Sequence, residues 1–390
     1  MFSAPAVAPP LSLYIHFPWC VRKCPYCDFN SHALNGASLP EMVYIEALLL
    51  DLERSVISSD KRPLRSIFFG GGTPNLFSPP SIEKLLDAIA RTYVWERDIE
   101  ITLEANPGFA GHRRFADYRS AGVNRLSLGV QSLNDDALKR IGRIHNANEA
   151  RAAIHSAIQC FDNVNLDFMF ALPEQSMETL RKDIDEIIGY GVAHLSCYQL
   201  TIEPNTAFFH TPPVIPDEDM SAIMQEYVTE RIVKSGYARY EVSAYAQPEK
   251  QCRHNLNYWQ FGDYLALGAG AHGKYSFTDR IERTIRYPHP QRYMAVASRK
   301  PLVPSIMEKH NLANEDIGFE FMLNALRLKD GVPATLFEER TGLSADTLKE
   351  PLRRARDHGL IDDISDRWVT TEKGYRFLNE TLQYFLGDIA

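Results

Sequence analysis

Six times between Leu11 and Leu200, a short apolar run of strand character is followed by a turn or loop and then by apolar residues at helical spacing. The strands are expected at residues 11–15, 64–69, 99–104, 124–129, 164–170 and 194–200. Between them, Ile45, Leu48, Leu49 and Leu52 mark one helix face, Ile82, Leu85, Leu86 and Ile89 a second, and Leu180, Ile184, Ile187 and Ile188 a third. A series of β-then-α units implies a parallel sheet, and right-handed crossovers curl such a sheet into a full or partial barrel. Six units rather than eight favour the open form, so the fold class is α/β, a partial (β/α)6 barrel over residues 11–212.

The polar residues that interrupt these patterns gather at one end. Cys20, Cys24 and Cys27 follow the first strand, Gly70-Gly71-Gly72-Thr73-Pro74 the second, Glu104 closes the third, Gln131 follows the fourth and Glu203 the sixth. That is the strand end where barrels build their sites. Asp167 lies inside the fifth strand and is expected to point into the barrel mouth or the core. Alone, Glu104 or Asp167 would be read as a buried carboxylate with a basic neighbour.

Three soft ligands within eight residues admit three readings. A disulfide is disfavoured because the remaining cysteines, Cys160, Cys197 and Cys252, are scattered and no secretory signal precedes them. Structural zinc wants a fourth ligand; His16 or His32 could be proposed, but no second CxxC or HxxxH pair follows at finger spacing. Three thiolates with no evident fourth suit a [4Fe-4S] cluster with one open iron.

The CxxxCxxC spacing, with Tyr26 just before the last cysteine, resembles the signature of the radical S-adenosylmethionine (SAM) superfamily, and Gly70–Pro74 resembles its GGGTP motif. The resemblance implies that Cys20, Cys24 and Cys27 hold the cluster, that SAM chelates the open iron, and that reductive cleavage yields a 5′-deoxyadenosyl radical. Residue by residue, it implies SAM contacts from Tyr14, Gly71, Gly72, Thr73, Glu104, Gln131, Arg143 and Asp167. Ala171 stands before Leu172-Pro173, where that family more often has glycine.

Over essentially the whole chain the resemblance narrows to two groups, the oxygen-independent coproporphyrinogen III dehydrogenases and the radical SAM haem chaperone family HemW. The dehydrogenases carry a further cysteine two positions after the triad, where this chain has Phe29. Cys252-Arg253-His254-Asn255-Leu256-Asn257-Tyr258-Trp259 resembles the chaperones, and there His254 matches the proposed haem-binding position. A lone histidine is more often structural, but Tyr258 and Trp259 could pack on a porphyrin, and the segment is expected to be a long loop. His272, in the glycine-rich run 268–273, is the reserve ligand, and Cys252 could alternatively ligate iron or attack a vinyl group. The function implied is haem binding and transfer, with propionate decarboxylation of coproporphyrinogen III as the alternative.

Residues 1–10 are expected to be a flexible tail, 213–315 an aromatic-rich connecting region and 316–390 a winged-helix-like α+β module. Arginines near the module's third helix invite a nucleic-acid reading, but Asp346, Glu350, Asp357, Asp362 and Asp363 alternate with them and the net charge is -8. The expected partners are therefore haem, an unidentified haem acceptor and an electron donor where the cluster is reduced, with no nucleic acid and a homodimer left open. With no leader pattern and no apolar run near the ~20 residues of a membrane span, a cytoplasmic location is expected.

Overall fold

The computed structural model describes residues 8–57, 60–299, 305–364 and 366–386; residues 1–7 of the expected tail lie outside the described residues. Each of the first six strands alternates apolar residues with polar or small ones, and the two sets part company across the sheet. β1 (Leu11–Phe17), β2 (Leu64–Gly71), β3 (Trp95–Ala105), β4 (Arg125–Gln131), β5 (Val164–Phe170) and β6 (His194–Gln199) pair in that order, every neighbour parallel. One set, including Leu13, Ile67, Leu103, Leu128, Leu166 and Leu195, forms a single buried core with helix residues such as Leu48, Ile82, Ile154 and Ile184. The other set, Ser12, Ser66, Glu100, Arg125, Asn165 and His194, is also buried, but its members bond to one another or to what fills the barrel.

The barrel stays open. β6 pairs on its far side with β8 (Ala244–Ala246), antiparallel and followed by β7 (Ala238–Arg239), whereas β1 pairs with β9 (Asp263–Leu267), parallel. Three antiparallel strands then extend that edge: β10 (His272–Ser276), β11 (Ile281–Arg286) and β12 (Ile306–Asn311). Among the described residues the sheet thus has twelve strands, six of them in the stretch expected to be an aromatic-rich connecting region. Two of those are only two or three residues long, and β12 is an edge strand exposed almost throughout and charged at Glu308 and Lys309. Neither kind carries the apolar signal of a central strand.

The C-terminal module follows from Asn314 in the winged-helix order. Helices Asn314–Ala325, Thr335–Thr341 and Lys349–Asp357 precede a ribbon, Ile361–Ile364 and Arg367–Thr370, to which Val332–Pro333 adds a third strand. Its core of Phe321, Phe337 and Trp368 takes in Phe261 and Ile281 from the preceding region. On its third helix Arg353 is ion-paired to both Glu350 and Asp357. Among the described residues no helix is long and apolar enough to cross a membrane.

Candidate functional site

The strand ends enclose one large cavity of about 680 Å³, within the size range of ligand sites. Cys20, Cys24, Cys27, Gly71, Gly72, Thr73, Glu104, Gln131, Arg143 and Asp167 all line it, as does Glu203. Residues on or just after all six parallel strands, with Arg143 from a helix-flanking turn, therefore meet at one place.

Its rim is built by two segments locked together. After β1, Trp19–Cys20 pairs with His32–Ala33, which closes the cysteine loop at its base. The glycine turn seats against it: Gly72 N–H donates to the Phe17 carbonyl at 2.7 Å, and the Thr73 hydroxyl donates to Cys20 Sγ at 3.3 Å. Gly71 has φ +113°, and a Cβ on Gly72 would lie 2.6 Å from the Trp19 carbonyl oxygen. Glycine is thus required here by contact with the cysteine loop itself.

The polar groups are held from behind. Glu104 Oε2 accepts the Gly71 N–H at 3.1 Å, and Asp167 accepts from Ser127 Oγ at 3.2 Å and Asn165 Nδ2 at 2.8 Å. Burial, then the neighbouring Asp167, pushes the Glu104 carboxyl up to about 8, and burial lifts Asp167 above the usual carboxylate range. Gln131, at φ 70°, turns its Oε1 to the Tyr198 hydroxyl at 2.8 Å. Arg143 donates to the Gly129 carbonyl at 2.7 Å and reaches Cys24 Sγ at 3.7 Å, leaving its buried Nε without a partner. Ala171 adopts φ 55°, which explains the glycine more usual at that position.

Tyr14 and His254 stand apart from that group. They line a smaller cavity of about 200 Å³, which shares Glu104, Ser127, Asp167 and Ser196 with the large one. Here the structure departs from the haem expectation. The HNLNYW segment is a helix, Arg253–Trp259, not a loop, and His254 is 1 % exposed. Both ring nitrogens are engaged, Nδ1 with Ser66 Oγ at 2.8 Å and Nε2 with Tyr258 OH at 2.7 Å, so neither is free for an axial bond. Cys252 is fully buried, its thiol pushed up to about 12 by burial and directed at Glu100, so it is neither a ready nucleophile nor a ready ligand. His272, by contrast, is exposed at the start of β10.

Several lining residues were not singled out in the sequence. Ser127, Ser196 and Tyr198 reach the cavity from β4 and β6, and their signal was the same alternation that placed Asp167. Arg327 reaches it from the C-terminal module, a contact that only the tertiary fold creates.

Residues 14–187 match the Radical SAM superfamily and residues 312–377 the HemN C-terminal domain. A protein of Haemophilus influenzae named Heme chaperone HemW is 48 % identical, with 97 % of this chain and 98 % of that one covered. The Escherichia coli protein of the same name is 46 % identical, with 97 % and 99 % covered. Among solved structures, the Escherichia coli coproporphyrinogen III oxidase HemN, described as a radical SAM enzyme, superposes with a TM-score of 0.81. That match covers 97 % of this chain and 90 % of that one at 20 % identity, and so speaks to the fold.

The superfamily implies a [4Fe-4S] cluster and SAM, and the donor set fits both. A cluster asks only that each thiolate reach a different iron, and Cys20, Cys24 and Cys27, all free, line the same cavity. Two buried carboxylates and an arginine with an orphaned Nε suit an amino acid bearing a sulfonium and a ribose. With relatives at this identity over nearly the full length of both chains, the chain belongs to the HemW family of radical SAM proteins.

Proposed function

We propose that this chain binds haem and hands it to an acceptor protein, with a SAM-bound [4Fe-4S] cluster as the redox-sensitive part of the device. The observation that carries this reading is the 48 % identity, over 97 % of the chain, to a protein named Heme chaperone HemW. In the large cavity, Cys20, Cys24 and Cys27 are the cluster ligands. Gly71, Gly72, Thr73 and Glu104 meet the amino acid end of SAM, Arg143 its carboxylate and Asp167 its ribose hydroxyls, while Gln131 braces the wall through Tyr198. Reduced cluster and bound SAM together supply one-electron chemistry. The protein contributes ligands and orientation. Thr73 donates its hydroxyl to Cys20 Sγ and Arg143 reaches Cys24 Sγ, so two of the three thiols are oriented by neighbouring side chains. For haem, which is cargo, the exposed imidazole of His272 is the better axial candidate than the enclosed His254.

The test is anaerobic. Reconstituted protein is titrated with haem, then mixed with a haem-free acceptor while the Soret band is followed; separately it is given coproporphyrinogen III, SAM and a strong reductant. Stoichiometric haem uptake and release to the acceptor, without decarboxylated product, is the expected result. Product at the ~1 per second or faster typical of enzymes would instead make it a dehydrogenase.

A further inference from the structure

We propose that His254 is a positioning residue of the SAM cavity, the centre of a helical plug that holds β1, β2 and β3 in register beneath the cysteine loop, the glycine turn and Glu104. The inference rests on the SAM reading of the large cavity given above.

The inward residues of these strands form layers. Ser12, Ser66 and Glu100 are partners in the sheet ladder, and each lies four residues before His16, Gly70 and Glu104 respectively. The helix Arg253–Trp259 bonds to this lower layer from inside. His254 Nδ1 meets Ser66 Oγ at 2.8 Å, and the Ser66 hydroxyl donates to Ser12 Oγ at 2.8 Å. Nδ1–H is therefore the donor, and Nε2 accepts from the Tyr258 hydroxyl at 2.7 Å. Glu100 caps the start of the same helix, accepting the N–H groups of Arg253 and His254 at 3.2 Å each and the Cys252 thiol at 3.5 Å. One imidazole and one carboxylate thus tie three strands to a single short helix.

The next layer rests on that imidazole. The His254 ring lies 5.0 Å from the Phe68 ring and 6.4 Å from that of Tyr14. Those two rings in turn bear on Gly70: a Cβ built there would lie 3.0 Å from each of them and 3.2 Å from Glu104 Oε2. Movement of Phe68 or Tyr14 is therefore transmitted to the glycine turn and to Glu104. Removing the imidazole leaves Ser66 and Tyr258 short of a partner and opens a void under Phe68, and interiors relax into such voids only in part. The cysteine loop, held by its own pairing of Trp19–Cys20 with His32–Ala33, is not part of this stack.

The experiment compares wild type with His254→Ala, His254→Asn and Ser66→Ala after anaerobic reconstitution. Asparagine can keep a donor near the place of Nδ1, and Ser66→Ala deletes the bond with almost no change in volume. Iron content reads the cluster, the SAM-dependent change in the EPR spectrum of the reduced cluster reads SAM affinity, and the Soret band reads haem. The expected result is normal iron content and a wild-type Soret spectrum in all four proteins. SAM affinity should fall by about tenfold or more in His254→Ala, in the same direction in Ser66→Ala, and recover partly in His254→Asn. Should His254→Ala fail to fold, Ser66→Ala decides. SAM affinity within about twofold of wild type in the variants that fold overturns the proposal, as does loss of the Soret spectrum in His254→Ala with SAM affinity intact. A wild-type cluster whose spectrum SAM does not alter overturns the SAM reading itself, and this proposal with it.

Discussion

Glu104 accepts the backbone N–H of Gly71 at 3.1 Å from inside the barrel, so the carboxylate and the glycine turn that line the same cavity are fixed to one another. Burial and the nearby Asp167 raise that carboxyl from 4.5 to about 8, so at neutral pH Glu104 is mostly protonated before SAM binds.

A pH dependence follows. In the proposed site Glu104 accepts from the amino group of SAM, so SAM binding favours the ionised carboxylate and, below about pH 8, expels the proton from Glu104. Affinity should therefore rise as pH rises towards 8 and level off above it, falling by up to about tenfold per pH unit on the acid side. Glu104→Gln has no proton to expel, so its affinity should be lower at pH 8 and nearly flat with pH. Titrations of reconstituted protein between pH 6.5 and 9 on the ~1-unit scale of a single linked proton measure both. A wild-type curve as flat as that of the variant would dissociate Glu104 from SAM.

The cysteines separate cleanly by position. Cys20, Cys24 and Cys27 line the cavity, whereas Cys197 and Cys252 are buried elsewhere and Cys160 lies at a helix end with its thiol on the His112 carbonyl. Alanine at any of the first three should abolish the cluster, since no other thiol can reach the vacated iron. Alanine at any of the last three should retain it. Iron and sulfide content with the visible absorption of the anaerobic protein checks all six.

Gly72→Ala should damage the site more than its single methyl suggests. The new Cβ would fall 2.6 Å from the Trp19 carbonyl oxygen and 3.0 Å from that of Phe17, and backbone atoms pinned by strand pairing cannot swing away. The turn must move off the cysteine loop, stretching the bond from Thr73 to Cys20, at a cost of about 1–3 kcal/mol in stability. Gly189→Ala, at a helix end with open space where the Cβ would go, is the control and should leave melting temperature and cluster content unchanged or slightly improved. Equal behaviour of the two variants would show that the turn and the loop are not coupled.

Six parallel strands and the residues at their ends were legible because the outward face of each strand is apolar in a regular rhythm and the polar exceptions fall where each rhythm stops. The inward face was harder to read. Ser12, Ser66, Arg125, Asn165 and His194 look like the solvent side of a half-buried strand, yet all are buried in a polar interior that the sequence alone gives no reason to expect. The same interior explains His254. Its neighbours Tyr258 and Trp259 suggested a surface for a flat ligand, but the chain has already turned the histidine and Tyr258 inwards against Ser66, Phe68 and Tyr14. Long-range partners of this kind, up to 188 residues apart for Ser66 and His254, leave no local pattern.

Haem ligation should then depend on His272. Its imidazole is exposed at the edge of a turn whose glycines pack inward, Gly268 against the His16 carbonyl and Gly270 against Asn30, so it is the imidazole rather than the turn that faces outward. Desolvation by the surrounding protein, then the charge of Arg283, lowers its pKa, which favours the neutral ring that can ligate iron. An axial imidazole is the main directional bond that a protein makes to haem iron, whereas ring contacts supply affinity without fixing the iron's electronic state. In His272→Ala the Soret maximum and the visible bands should therefore shift to those of a haem lacking that ligand, even where some haem is retained. Adding free imidazole should restore part of the wild-type spectrum. His272→Ala protein with wild-type absorption across these bands would remove this histidine from the haem site.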